Sequence, residues 1–125
     1  MNYLEQLGAR ARTAATRLNL LSQEEKNNCL KACARALLDN EADILAANTA
    51  DVNKAKENGV KESLIDRLRL SPARLKDMAD GLIQISMLPD PIGEVISMTL
   101  RPNGLNVGQK VVPLGVVGII YESRP

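Results

Sequence analysis

The chain has 125 residues, 45% of them hydrophobic and 25% charged, and its 16 basic and 15 acidic side chains leave a net charge of +1. That length is a prior of one domain, and the composition is that of an ordinary globular chain rather than a disordered or membrane-spanning one. With no His, Trp or Phe and only two Tyr, the chain lacks the usual neutral-pH general base, the commonest metal ligand and the aromatic platforms on which single-stranded nucleic acid stacks, so neither a metal nor a nucleic-acid partner is expected. In chain order, Leu4, Leu7, Ala11, Ala14 and Leu18 recur at helical spacing and predict an amphipathic helix over Tyr3 to Leu18. Ser22 and Glu25 have the spacing of a capping box and predict a second helix to about Leu38, with Cys29, Leu30, Cys33, Ala36 and Leu37 as its apolar face. A third helix starts near Asp39 or Asn40, turns Ile44, Leu45, Val52 and Ala55 inward, and ends at Asn58-Gly59; Asn48 and Asp51 interrupt its face. A short helical turn over Glu62 to Leu68 precedes Ser71-Pro72, a cap followed by proline at the first helical position. Leu75, Met78, Ala79, Leu82 and Ile83 continue that last helix until Pro89 and Pro91.

From Gly93 the pattern changes. Glu94 to Leu100 and Leu105 to Val112 flank the turn tripeptide Pro102-Asn103-Gly104 and predict a β-hairpin. Gly115 to Tyr121 is continuously apolar, the pattern of a strand buried on both faces of a parallel sheet. Such a strand needs neighbours reached through crossovers of at least about a dozen residues, which predicts that the sequence is the opening part of a longer protein. The longest apolar run, Val111 to Tyr121, is interrupted by Pro113, Gly115 and Gly118 and falls well short of the roughly 20 residues of a membrane span. Glu5, Arg10, Arg12 and Arg17 occupy what would be the core of a secretory leader, and two cysteines make no disulfide framework. A cytoplasmic setting, with no membrane partner, is expected.

The segment Val112-Pro113-Leu114-Gly115-Val116-Val117-Gly118-Ile119-Ile120-Tyr121-Glu122-Ser123-Arg124-Pro125 resembles the entry into the cofactor domain of the aldehyde dehydrogenase superfamily. Its Pro-Leu-Gly-Val-x-Gly-x-Ile part is common across that superfamily. Tyr121 to Pro125 stands where general members tend to carry Pro-Trp-Asn, and is similar to the branch serving proline biosynthesis. Four further stretches agree: Leu21-Ser22 with Lys26-Asn27; Asn48 with Asp51-Val52, Ala55 and Asn58-Gly59; Asp66-Arg67-Leu68 with Leu70, Pro72 and Arg74-Leu75-Lys76; and Pro89 to Gly93. The resemblance covers the whole chain.

It implies an α/β, aldehyde dehydrogenase-like fold. Residues 1–92 would be the helical start of the cofactor-binding domain, 93–112 a hairpin arm for homo-oligomerisation, and 113–125 the first strand and loop of a Rossmann-like sheet. The implied reaction is NADPH-dependent reduction of L-glutamyl 5-phosphate to L-glutamate 5-semialdehyde and phosphate, through a cysteine thiolate that attacks the acyl phosphate. That nucleophile lies far downstream in the family, so no catalytic residue is expected here. Tyr121, Glu122, Ser123 and Arg124 are the expected NADP-contacting residues, at the strand end where open α/β sheets bind ligands; a plain surface loop is the competing reading.

Cys29 and Cys33 are read as small packed hydrophobes rather than a redox or zinc site, since zinc would still lack two ligands. Gly115 and Gly118 are read as points of close backbone packing rather than a dinucleotide fingerprint, because no third glycine opens a helix. The basic residues from Lys54 to Lys76 interleave with acidic ones and read as a solvated helix surface. A different class of function, a non-catalytic helical module that associates with itself or with a longer copy, is the alternative expectation.

Overall fold

The computed structural model of the chain describes residues 2–120. Its elements are α1 (Tyr3–Leu18), α2 (Gln23–Asp39), α3 (Glu41–Glu57), α4 (Glu62–Leu68), α5 (Pro72–Ser86), β1 (Val95–Leu100) and β2 (Asn106–Lys110). These group into two compact units: residues 2–23 with 89–118, and residues 24–88 with 119–120.

In the first unit, α1 opens on a capping box that sequence reading passed over. Asn2 Oδ1 accepts from the Glu5 amide and Glu5 Oε2 accepts from the Asn2 amide, both at 2.9 Å, so two orphan donors of the first turn are satisfied reciprocally. The helix has the predicted span, yet none of its residues is buried. The hairpin is antiparallel, with Met98 opposite Gly108 and Thr99 opposite Val107, and a bulge between Val95 and Ser97. Its turn follows from three residues: Pro102 favours the first corner, the Gly104 amide bonds the Arg101 carbonyl at 2.9 Å, and Gly104 takes φ 84°. This is a three-residue hairpin loop closed by a left-handed glycine. Every residue of both strands is exposed.

The second unit holds the core: Ala34 of α2, Val52 of α3, Ile65 of α4, and Leu75 and Ala79 of α5. The inward face of α2 differs from the predicted one. Ala34 is buried and Leu30 and Leu37 half-buried, whereas Cys29, Cys33 and Ala36 are exposed. The helix is rotated so that the small Ala34 side chain enters the core and the thiols turn out. Ala34 and Ala79 line one cleft together. At the C-terminus of α3, the Gly59 amide bonds the Lys56 carbonyl and the Val60 amide bonds the Ala55 carbonyl, with Gly59 at φ 70°. These two bonds are the Schellman ending that a glycine after the cap allows.

Candidate functional site

The expected cofactor-contacting residues Tyr121, Glu122, Ser123 and Arg124 lie outside the described residues. The approach to them is described, and it differs from expectation. No strand forms over residues 111–120; Leu114 is 93% and Ile120 99% exposed, so the strand expected from Gly115 is not formed there. A β-strand exists only where its backbone groups meet a paired neighbour, and the one sheet among the described residues is the β1–β2 hairpin. Gly115 takes φ 89° and nothing approaches a Cβ placed on it or on Gly118. Close packing, the reason expected for these glycines, is therefore not seen; conformational freedom is the reason at Gly115.

The polar constellation that the structure does assemble centres on α4. Seven residues make a helix too short to stand by propagation alone, and its last carbonyls need partners. Two side chains from neighbouring helices supply them. Asn48, on α3, is 6% exposed and donates from Nδ2 to the Leu68 carbonyl at 2.8 Å, while its Oδ1 accepts from the Leu70 amide at 2.7 Å. Arg74, on α5, donates from Nη1 to the carbonyls of Asp66 and Arg69, each at 2.6 Å, and its Nη2 lies 3.5 Å from the Asp66 carboxylate. Ser71 caps α5 by accepting from the Arg74 amide at 3.2 Å. The residue that interrupts the apolar face of α3 in sequence is thus the hydrogen-bonding joint between α3 and the α4–α5 connection. The polar break was the available signal; its partners, 20 and 22 residues away, left no local trace.

Beside this joint is a cleft of about 380 Å³ lined in part by Asp66, Arg67, Arg69, Arg74 and Asp77. Its charges compensate one another: Arg74 is engaged as above, and Arg69 pairs with Glu62 at 3.6 Å. On the outer face of α5 the Lys76 ammonium donates to the Asp80 carboxylate, a contact that holds the lysine above its ordinary pKa through that hydrogen bond and the opposite charge. The basic stretch is therefore an exposed surface on which Arg69, Arg74 and Lys76 are ion-paired. Among the described residues no group of three or more His, Cys, Asp or Glu is placed to hold a metal. Nor, among the described residues, is any helix long and apolar enough to cross a membrane.

Comparison with known proteins identifies the larger molecule to which this arrangement is similar. No protein-family profile matches the chain. The gamma-glutamyl phosphate reductase of Lachnospira eligens is 53% identical over 125 residues, all of this chain and 30% of that protein. The chain matches the N-terminal portion of gamma-glutamyl phosphate reductase. Crystal structures agree: the Thermotoga maritima reductase superposes with a TM-score of 0.80 at 38% identity, covering 86% of this chain and 26% of that one. The Saccharomyces cerevisiae reductase gives 0.83 at 32% identity, covering 90% and 29%. The chain thus spans about 30% of the length of the curated relatives it matches, and its fold superposes on the corresponding part of both reductase crystal structures. The alternative, a free-standing helical association module, finds no support in these relatives. Asn48, Asp66, Leu68, Leu70 and Arg74, which carry the family resemblance in sequence, are the residues of the α3–α4–α5 joint.

Proposed function

We propose that the chain is the opening segment of a cytoplasmic enzyme of proline biosynthesis that reduces L-glutamyl 5-phosphate with NADPH to L-glutamate 5-semialdehyde and phosphate. The observation that carries this reading is the end-to-end match, 53% identity across the whole chain, with a gamma-glutamyl phosphate reductase. The nucleophile and the acyl-transfer chemistry belong to other parts of such an enzyme, and these 125 residues alone turn nothing over. Residues 2–120 contain no strand, glycine turn and helix of the kind that cradles a dinucleotide pyrophosphate. NADP contacts are assigned to the loop Tyr121, Glu122, Ser123 and Arg124, where the Arg124 guanidinium fork suits a phosphate. The helices of residues 1–92 serve as the supporting part of the cofactor-binding domain.

The hairpin of residues 93–112 is assigned to homo-oligomerisation. Its exposed Ile96, Met98, Leu100, Leu105 and Val107, and a two-stranded sheet that is marginal by itself in water, support that role.

The test is a chimaera in which this chain replaces the matching opening of the Lachnospira eligens reductase. Retained substrate-dependent NADPH consumption is expected, with the isolated chain inactive. A folded, soluble chimaera without turnover would overturn the proposal, as would turnover by the chain alone.

A further inference from the structure

Helix α2 carries the chain's only two cysteines, Cys29 and Cys33, and both are exposed free thiols. Standing four residues apart in one uninterrupted helix, they are neighbours on a single face, with Cβ atoms about 5–6 Å apart. Ala32 and Ala36 flank the pair and are themselves exposed, with the exposed Glu25 one turn before Cys29. The buried contact of α2 is made through Ala34, with Leu30 and Leu37 beside it, roughly a quarter turn away. Filling the thiol face leaves that contact intact.

The spacing selects among thiol chemistries. A disulfide brings Cβ atoms to about 3.8 Å, closer than a regular helix holds them, so direct oxidation of the pair would require α2 to distort. A structural zinc needs four ligands, and no group of three candidate ligands exists among the described residues. A single intervening atom with bonds to sulfur near 2.3 Å, the length found in metal thiolates, spans the gap without moving the backbone. Soft centres that prefer sulfur fit this donor set.

We infer that Cys29 and Cys33 form a bidentate dithiol site for a soft, thiophilic centre satisfied by two sulfurs, of the chemical class of trivalent organoarsenicals. With an aryl arsenoxide, both S–H bonds and the arsenic–oxygen bond break and two As–S bonds form. The oxygen leaves as water with the two thiol protons, and arsenic remains trivalent, so neither oxidant nor reductant is needed.

The test uses the chain with phenylarsine oxide in excess glutathione, read by intact mass, thiol titration and far-ultraviolet circular dichroism. One phenylarsenic group per chain is expected, with loss of both titratable thiols, unchanged helix signal and release by a small dithiol. Cys29→Ser and Cys33→Ser should each weaken retention by about a hundredfold or more, because chelation contributes an effective concentration that one thiol lacks. Two arsenicals per chain, single variants that retain the reagent as well as the parent, uptake that unwinds helix, or no uptake by the parent would each overturn the inference.

Discussion

Replacing Asn48 isolates the joint between α3 and the α4–α5 connection. Asn48→Ala removes both side-chain bonds and strands the Leu68 carbonyl and the Leu70 amide, each in a half-buried residue. Two net hydrogen bonds are worth about 0.5–1.5 kcal/mol each, and a buried group left without a partner costs about 1–3 kcal/mol. Partial access of water at Leu68 and Leu70 keeps the expected loss at roughly 2–4 kcal/mol, a large share of the about 5–15 kcal/mol that holds an ordinary domain folded. Asn48→Asp keeps the volume and separates hydrogen bonding from packing. An ionised carboxylate would face the Leu68 carbonyl where Nδ2 now donates at 2.8 Å, whereas a protonated one can donate there. Burial and that carbonyl raise the folded-state pKa of the introduced acid above its unfolded value of about 3.9. The associated stability is then complete below about pH 4 and is lost as pH rises through the folded pKa, so the variant approaches the parent in acid and falls away toward neutrality. Urea unfolding followed by circular dichroism measures this; the chain contains no Trp to report by fluorescence. Hydrogen exchange at the Leu70 amide gives a local readout, since its partner is the Asn48 side chain. A loss below about 0.5 kcal/mol for Asn48→Ala, with Leu70 protection unchanged, would refute the reasoning.

Four further outcomes are expected. Gly59→Ala places a Cβ at φ 70° with nothing within 4 Å of it, so the cost is conformational alone, about 1–2 kcal/mol; Gly59→Asn should lose less, and both are read from denaturant midpoints. Arg74→Lys keeps the charge but loses the fork that reaches the Asp66 and Arg69 carbonyls. It should cost roughly 1 kcal/mol after allowing for exposure, with faster hydrogen exchange in α4 than in α1 as its signature. The Lys76–Asp80 pair raises the lysine pKa, so its contribution is complete below the unfolded pKa and disappears as pH rises through the folded one; parent and Lys76→Met melting curves should converge only in strong alkali. Met98→Lys with Leu100→Lys puts two charges on exposed hairpin positions and, on the proposed oligomerisation role, should lower the mass of the reductase chimaera in light scattering, while an unchanged mass would refute that role.

Local signals were enough for element boundaries. Asn58-Gly59 marks the end of α3 because only glycine takes the left-handed conformation there cheaply. Pro102-Asn103-Gly104 closes the hairpin for a similar reason, and Ser71-Pro72 starts α5 with its cap and its missing N–H both inside the first turn. The resemblance carried by residues 112–125 was legible without any structure, although the expected site residues 121–124 fall outside the described ones. Asn48 was visible only as a flaw in an apolar face, because its partners Leu68 and Leu70 belong to another segment.

The sequence by itself therefore determined where helices and hairpin lie, since caps, turns and periodicity act within a few residues. Tertiary structure alone decided which faces turn inward. Leu30 and Leu37 fit a stripe containing either Cys29 and Cys33 or Ala34, and a helix rotated by a quarter turn has the same local pattern. The tertiary fold buries Ala34, which shares a cleft with Ala79 of α5, and leaves the thiols exposed. The strand expected over 115–121 illustrates the same limit: apolar, β-branched sequence supplies the preference for a strand, but only a neighbouring backbone supplies its hydrogen bonds, and residues 115–120 have none.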